Sequence, residues 1–212
     1  MAPHVRTSAA VGLALVAAVT VGCSGSGSGS TASKSPPPPA SSSSTPTSGA
    51  QNNAAPTESN PPGDIPDNQV YVPFRGTGFT VKVPEGWAQT QRTHTTAFTD
   101  KLNTVRINVF STSAAPTIGE VTNAVVPQLR AQVPKFAAPK VAEVTRHAGR
   151  VVLLTYQGDS ATDPVTGKVV RDAFERYAFY RAGREVDLTL SGPVNADNVD
   201  PWRVISDSFT WR

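Results

Sequence analysis

Cysteine is the scarcest chemical resource in this 212-residue chain, occurring once, at Cys23. A single thiol excludes a disulfide framework and a cysteine-built zinc site. Histidine occurs three times. Beyond the N-terminus the two are His94 and His147, and neither has a partner at metal-motif spacing such as H-x-x-x-H. Charge is also sparse, at 17% of residues with a formal net charge of +3. Asp64–Arg212 carries 17 basic and 15 acidic residues, or +2, so no nucleic-acid partner is expected. No stretch after the N-terminus reaches the roughly 18 apolar residues of a membrane-spanning helix. Aromatic residues, 7% of the chain, all lie between Tyr71 and Trp211. Only that part can build a core, and its length suits one domain.

The N-terminus has the order of an export signal. His4 and Arg6 lie in a short cationic start, and Ser8–Val21 is small and apolar. Thr20-Val21-Gly22-Cys23 follows, with a Ser/Gly run directly after it. This resembles the lipobox of bacterial lipoproteins, although Thr20 stands where that family usually has leucine. The resemblance implies cleavage between Gly22 and Cys23 and a diacylglyceryl group on the Cys23 sulfur. The expected division is a signal peptide at 1–22, a lipidated and disordered tether at 23–66, and a globular domain at 67–212. From Ser24 to Gly63, 34 of 40 residues are Ser, Thr, Pro, Gly or Ala. Such a segment has nothing to bury against its ordering entropy. As a flexible coil its ends lie roughly 35 Å apart.

Downstream, alternation predicts strands at Phe79–Val83, Val105–Phe110 and Glu185–Leu190. Val151–Tyr156 is apolar on both faces, which predicts a central strand covered on both sides. Asp159–Lys168 reads as a hairpin loop, with Asp163-Pro164 as a turn signal. Thr117 and Glu120 have the spacing of a capping box, and Ile118, Val121, Val125 and Leu129 then follow a helical stripe. Pro127 inside that stripe predicts a kink or an early end. Asp200 is the expected N-cap of a last helix, with Pro201 at its first position and Trp202, Ile205 and Phe209 on one face. Short hairpins imply antiparallel pairing. The fold class is therefore α+β, a mostly antiparallel sheet flanked by helices.

Phe79–Trp87 (FTVKVPEGW), the DPVTGK hairpin, the Arg-Ala-Gly-Arg turn and the closing DPWRVISDSFTW resemble actinobacterial surface lipoproteins with a PsbP/Mog1-like domain, the LpqN type among them. The resemblance implies a sheet with helices on both faces and an accessory or binding role. It supplies no catalytic residues.

A search for chemistry returns little. Thr189–Pro193 lacks the outer glycines of a G-x-S-x-G elbow, so Ser191 is not expected to be a nucleophile. Gly167-Lys168 lacks the rest of a P-loop. Asp159 and Asp163 do not follow a calcium-loop pattern and read as turn residues. Arg171, Arg176 and Arg181 interleave with Phe174, Tyr177, Phe179 and Tyr180, which suggests an anion site less than it suggests cross-strand ion pairs on a solvated patch. The expectation is a monomeric, non-catalytic envelope lipoprotein without cofactor or metal, on the outer face of the cytoplasmic membrane. Its partners are the membrane, through Cys23, and an envelope lipid or protein. The alternative is a secreted enzyme assembled from His94, His147, Asp159 and Glu175.

Overall fold

The alternating segments become strands because period two is the period of a pleated sheet with one buried face. The computed structural model describes residues 62–162 and 167–212. The expected signal peptide, Gly22, Cys23 and nearly all of the expected tether lie outside the described residues, as does the expected turn at Asp163-Pro164. β1 (Tyr71–Gly76) and β2 (Phe79–Pro84) form a hairpin. β3 (Ala88–Arg92), β4 (Thr95–Asp100) and β5 (Asn103–Ser111) form a meander. β6 (Ala137–Arg146), β7 (Gly149–Asp159), β8 (Arg171–Arg181) and β9 (Arg184–Pro193) form a second one.

All pairings are antiparallel, and seven strands make one sheet in the order β3-β4-β5-β9-β8-β7-β6. β1, β2 and the two-residue β10 (Thr210–Trp211) make a second sheet with β2 in the middle. The central position therefore belongs to β9, not to Val151–Tyr156, because the long β5–β9 pairing joins the two meanders. β7 is one strand from the edge, yet it is covered on both sides as expected: Val151 joins one core, and Val152, Leu154 and Tyr156 the other.

The larger core lies between the two sheets and the helix α3 (Val199–Asp207). Phe79, Val81, Ile107, Phe179, Leu188, Ile205 and Phe209 meet there, none more than 2% exposed. Phe209 is its keystone, with its ring centroid 3.9 Å from that of Phe179 and 5.3 Å from that of Phe79. This side of the large sheet is its sandwich face. The opposite, helix face carries the smaller core of Val121, Val126, Val152, Leu154, Tyr156 and Ala178.

A helical segment covers that second face. Thr117 caps it as expected, its hydroxyl accepting the Glu120 N–H at 3.1 Å. The segment runs as α1 (Ile118–Glu120), a π turn (Val121–Val125) and α2 (Val126–Gln132). Pro127 does not end the segment but stands in the first turn of α2. Proline has no N–H for the carbonyl four residues back, and the wider π turn just before it takes up the mismatch, with Val126 N–H bonding Val121 O instead. The same extra residue rotates the apolar stripe. Val126 is buried beside Val121, and Ile118, expected on the stripe, is 46% exposed.

Two further expectations are corrected. The N-cap of α3 is Asn198, not Asp200, and its side chain does not cap. It accepts the Ile65 N–H at 2.9 Å and donates to the Gly63 carbonyl and to Asn103 Oδ1, each at 3.0 Å. Asn103 also donates to Gly63 O at 2.8 Å. The two amides meet over Gly192, where a Cβ would lie 2.3 Å from Asn103 Oδ1. Only glycine fits that position. Ile65, placed in the tether by composition, is 3% exposed and belongs to the core. The packed unit thus includes Gly63–Pro66, ahead of the expected start at Asp67. Limited proteolysis should give a resistant fragment whose first residue lies at or before Pro62. N-terminal sequencing that finds a stable fragment beginning at Asp67 or later would contradict this latch.

Candidate functional site

Two polar constellations stand out, one on each face of the large sheet. On the sandwich face, where the start of α3 crosses β7 and β8, a shallow cleft of about 190 Å³ opens. Thr155 and Gln157 line it from β7, Ala173 and Glu175 from β8, and Trp202 from α3. Residues i and i+2 of neighbouring strands share a face, so the fold delivers these four strand side chains together. Ala138 completes the wall at an irregularity of β6, with φ at +50°.

Glu175 is held by a chain of hydrogen bonds. The Tyr177 hydroxyl donates to Glu175 Oε2 at 2.6 Å and accepts from Arg146 Nη2 at 2.9 Å. Arg146 also donates to Ser206 Oγ at 3.0 Å, pairs with Asp207 at 3.5 Å and lies over the Tyr177 ring. Burial, then the Glu175 carboxylate, pushes the Tyr177 hydroxyl up to about 12. Tyr177 thus stays a fixed neutral donor, and the cleft offers one oriented carboxylate, an amide and a hydroxyl beside an indole. That set is equipped to hydrogen-bond a small polar ligand.

On the helix face, Arg176, Glu185 and Asp187 form a cluster. Arg176 Nη2 pairs with Asp187 Oδ2 and lies 3.6 Å from Glu185. The Asp187 side chain is 4% exposed, so this is no solvated patch. Arg171 and Glu175, like Asp172 and Arg176, lie four residues apart on β8, too distant to pair within the strand. Arg171 pairs with Asp159 instead, across β7–β8. Burial, with Asp187 alongside, pushes the Glu185 carboxyl up to about 7. Asp187 is also raised by burial, against the pull of Arg176. One cation cannot hold two buried carboxylates fully ionised. Asp172, buried without a partner for Oδ1 among the described residues, is pushed to about 6.

The remaining sequence candidates are dispersed. His94 is exposed in the β3–β4 turn and His147 in the β6–β7 turn. Five strand spacings, about 24 Å, separate those turns. Asp159 ends β7 in ion pairs with Lys135 at 2.9 Å and Arg171, and Lys135 above all holds its carboxyl below the usual range. Arg181 is exposed at the end of β8, and Ser191 sits within β9 opposite Phe174. The buried cluster was missed because Glu-Val-Asp-Leu-Thr-Leu alternates perfectly, and its polar half reads as solvent-facing. The one available signal for the cleft was Thr155 and Gln157 within an otherwise apolar strand.

These features define an α+β layered domain with a small cleft and no assembled catalytic constellation among the described residues. No model of a known protein family matches the chain, and no curated protein does. Among solved structures, CyanoP, the cyanobacterial PsbP of Synechocystis sp. PCC 6803, aligns with 71% of this chain and 98% of its own, at 12% identity and a TM-score of 0.48. LpqN of Mycobacterium tuberculosis, involved in cell envelope biogenesis, aligns over 68% and 91%, at 14% identity and 0.39. PA94 of Pseudomonas aeruginosa, of unknown function, aligns over 58% and 83%, at 15% and 0.37. The likeness is one of partial backbone arrangement.

Proposed function

We propose that the chain is a lipid-anchored protein of the cell envelope, carried on the outer face of the cytoplasmic membrane by Cys23. Its domain acts there as a monomeric, non-catalytic binding or accessory module of the PsbP/Mog1-like kind. The observation that carries this reading is the placement of the only cysteine, at the end of the apolar run and directly before the Ser/Gly segment. Two acyl chains on one thiol suffice for stable anchoring, where a single chain gives only marginal binding. The cleft supports the binding role, and its donors and acceptors suit a polar envelope component rather than nucleic acid. The separation of His94 from His147, with Asp159 held in ion pairs, counts against an enzyme assembled from those residues.

The test is Cys23→Ala in the native host. Wild type should partition with membranes and detergent, and the variant should not. An unprocessed precursor held by Ser8–Val21 would also sediment, so its slower gel mobility must be read beside the fractionation. Circular dichroism and the melting temperature should be unchanged. A variant processed normally and still as membrane-bound as wild type would refute the anchor.

A further inference from the structure

Charge is sorted along the strands of this domain. At one end the β1–β2 and β8–β9 turns lie side by side. Arg184 Nη1 donates to the Thr77 carbonyl at 3.1 Å, and the Arg212 N–H donates to the Gly78 carbonyl at 2.9 Å. Arg75 precedes that first turn by two residues, and Arg181 is the cross-strand partner of Arg184. Arg75, Arg181 and Arg212 are exposed. None of these four arginines forms an ion pair among the described residues. Glu185, next along β9, points to the helix face and is held by Arg176.

The other end carries an excess of acids, with Lys101, Lys135 and Arg171 among them. Asp64 accepts the Asp197 N–H at 2.9 Å, and Asp64 and Asp100 border one hollow. Glu85 lies beside it, where its carbonyl accepts from Gln69. The arginine end contains neither that hollow nor the Trp202 cleft. It is built of tight turns, Thr77-Gly78 and Ala182-Gly183 among them.

We infer that the arginine end docks on a bilayer surface carrying anionic headgroups. Guanidinium forks match phosphate oxygens in pairs and give up hydration readily. Unpaired arginines on turns without a pocket suit a plane of charges better than a single enclosed anion. A planar negative field also repels the acidic end, so it orients the domain as well as attracting it. The chain enters the domain at the acidic end, through Gly63. Forty residues can reach about 130 Å when extended, against about 36 Å for an eleven-residue strand. An anchor at Cys23 therefore leaves the arginine end free to reach the same membrane, but docking itself does not require the lipid.

The test uses the chain from Ser24 onward, which lacks both the apolar run and the cysteine. It is sedimented with vesicles of phosphatidylcholine alone or with about 30% phosphatidylglycerol. Binding should require the anionic lipid and fall steeply between about 0.1 and 1 M salt. Each arginine removed should weaken it about fivefold. Arg75→Gln with Arg181→Gln, two exposed side chains, should lose about 25-fold, and Lys101→Gln with Lys140→Gln should lose almost nothing. Arg75→Lys with Arg181→Lys should keep most of the binding. Equal binding to neutral vesicles, equal loss in the two glutamine pairs, or full competition by millimolar inorganic phosphate would overturn the inference. So would capture by a soluble polyanion but not by vesicles. Failure here with Cys23-dependent membrane partition intact would leave the anchor standing.

Discussion

Phe209→Ala is expected to destabilise the domain by about 4 kcal/mol, within the usual range for a buried phenylalanine. The side chain is fully buried, stacked on Phe179 and Phe79 and edge-on to Trp211 at 5.0 Å. It lies just beyond α3, where the chain turns into β10, so nothing nearby can collapse into the space without dragging the edge of the small sheet. Aromatic pairing adds roughly 0.5–1.5 kcal/mol per contact beyond area. For a domain of this size, 4 kcal/mol lowers the melting temperature by about 8–16 °C. Thermal unfolding by circular dichroism reads the effect. A shift under about 3 °C would mean that the two sheets do not meet through this ring.

A comparable loss, about 3–5 kcal/mol, is expected for Arg176→Met, because it leaves Asp187 and Glu185 facing each other in a buried site. Replacing all three by apolar residues should restore stability to within about 1 kcal/mol of wild type, since a buried ion pair gains little over good packing. The cluster also sets a pH dependence. Glu185, at about 7, and Asp172, at about 6, are raised above their ordinary values of 4.5 and 3.8. Between those limits the folded state binds more protons than the unfolded chain, so stability falls as pH rises. The contribution is complete near pH 4 and lost by about pH 8. Asp159, lowered by Lys135, acts oppositely, but only in more acidic solution. Unfolding free energies from denaturant titration should therefore be higher at pH 5 than at pH 8, by about 1–3 kcal/mol. Glu185→Gln should remove most of that slope. A profile flat across this range, or rising with pH, would show that water reaches the cluster.

How much of this was legible varied with how local the cause was. β2, β5 and β9 announce themselves because one face is buried against a continuous core, and Phe79, Ile107 and Leu188 mark it every second residue. The Thr117 cap and Pro127 were visible too. The π turn that reconciles them was not, since its cue is a missing hydrogen bond rather than a residue pattern. The Arg176 cluster escaped for a different reason. Whether Asp187 faces water depends on the helical segment laid over it from elsewhere in the chain. β10 has two residues and no periodicity to read. Asn198 and Asp200 are both good caps, and what decides between them is Gly63, more than a hundred residues away. The cleft combines Thr155, Gln157 and Glu175 from two strands and Trp202 from a helix, a set no linear spacing encodes.

The Gly63–Ile65 latch gives the domain a mechanical grain. Force applied along the N-terminal segment would enter there, at hydrogen bonds to Asn103 and Asn198 and at the buried Ile65 side chain, before reaching β1. β1 is an edge strand, hydrogen-bonded in the sheet to β2 alone among the described strands. Without the latch, a pull would unzip that strand one hydrogen bond at a time. With it, the load is divided first between β5, through Asn103, and the foot of α3, through Asn198, so several bonds must fail together before any strand begins to peel.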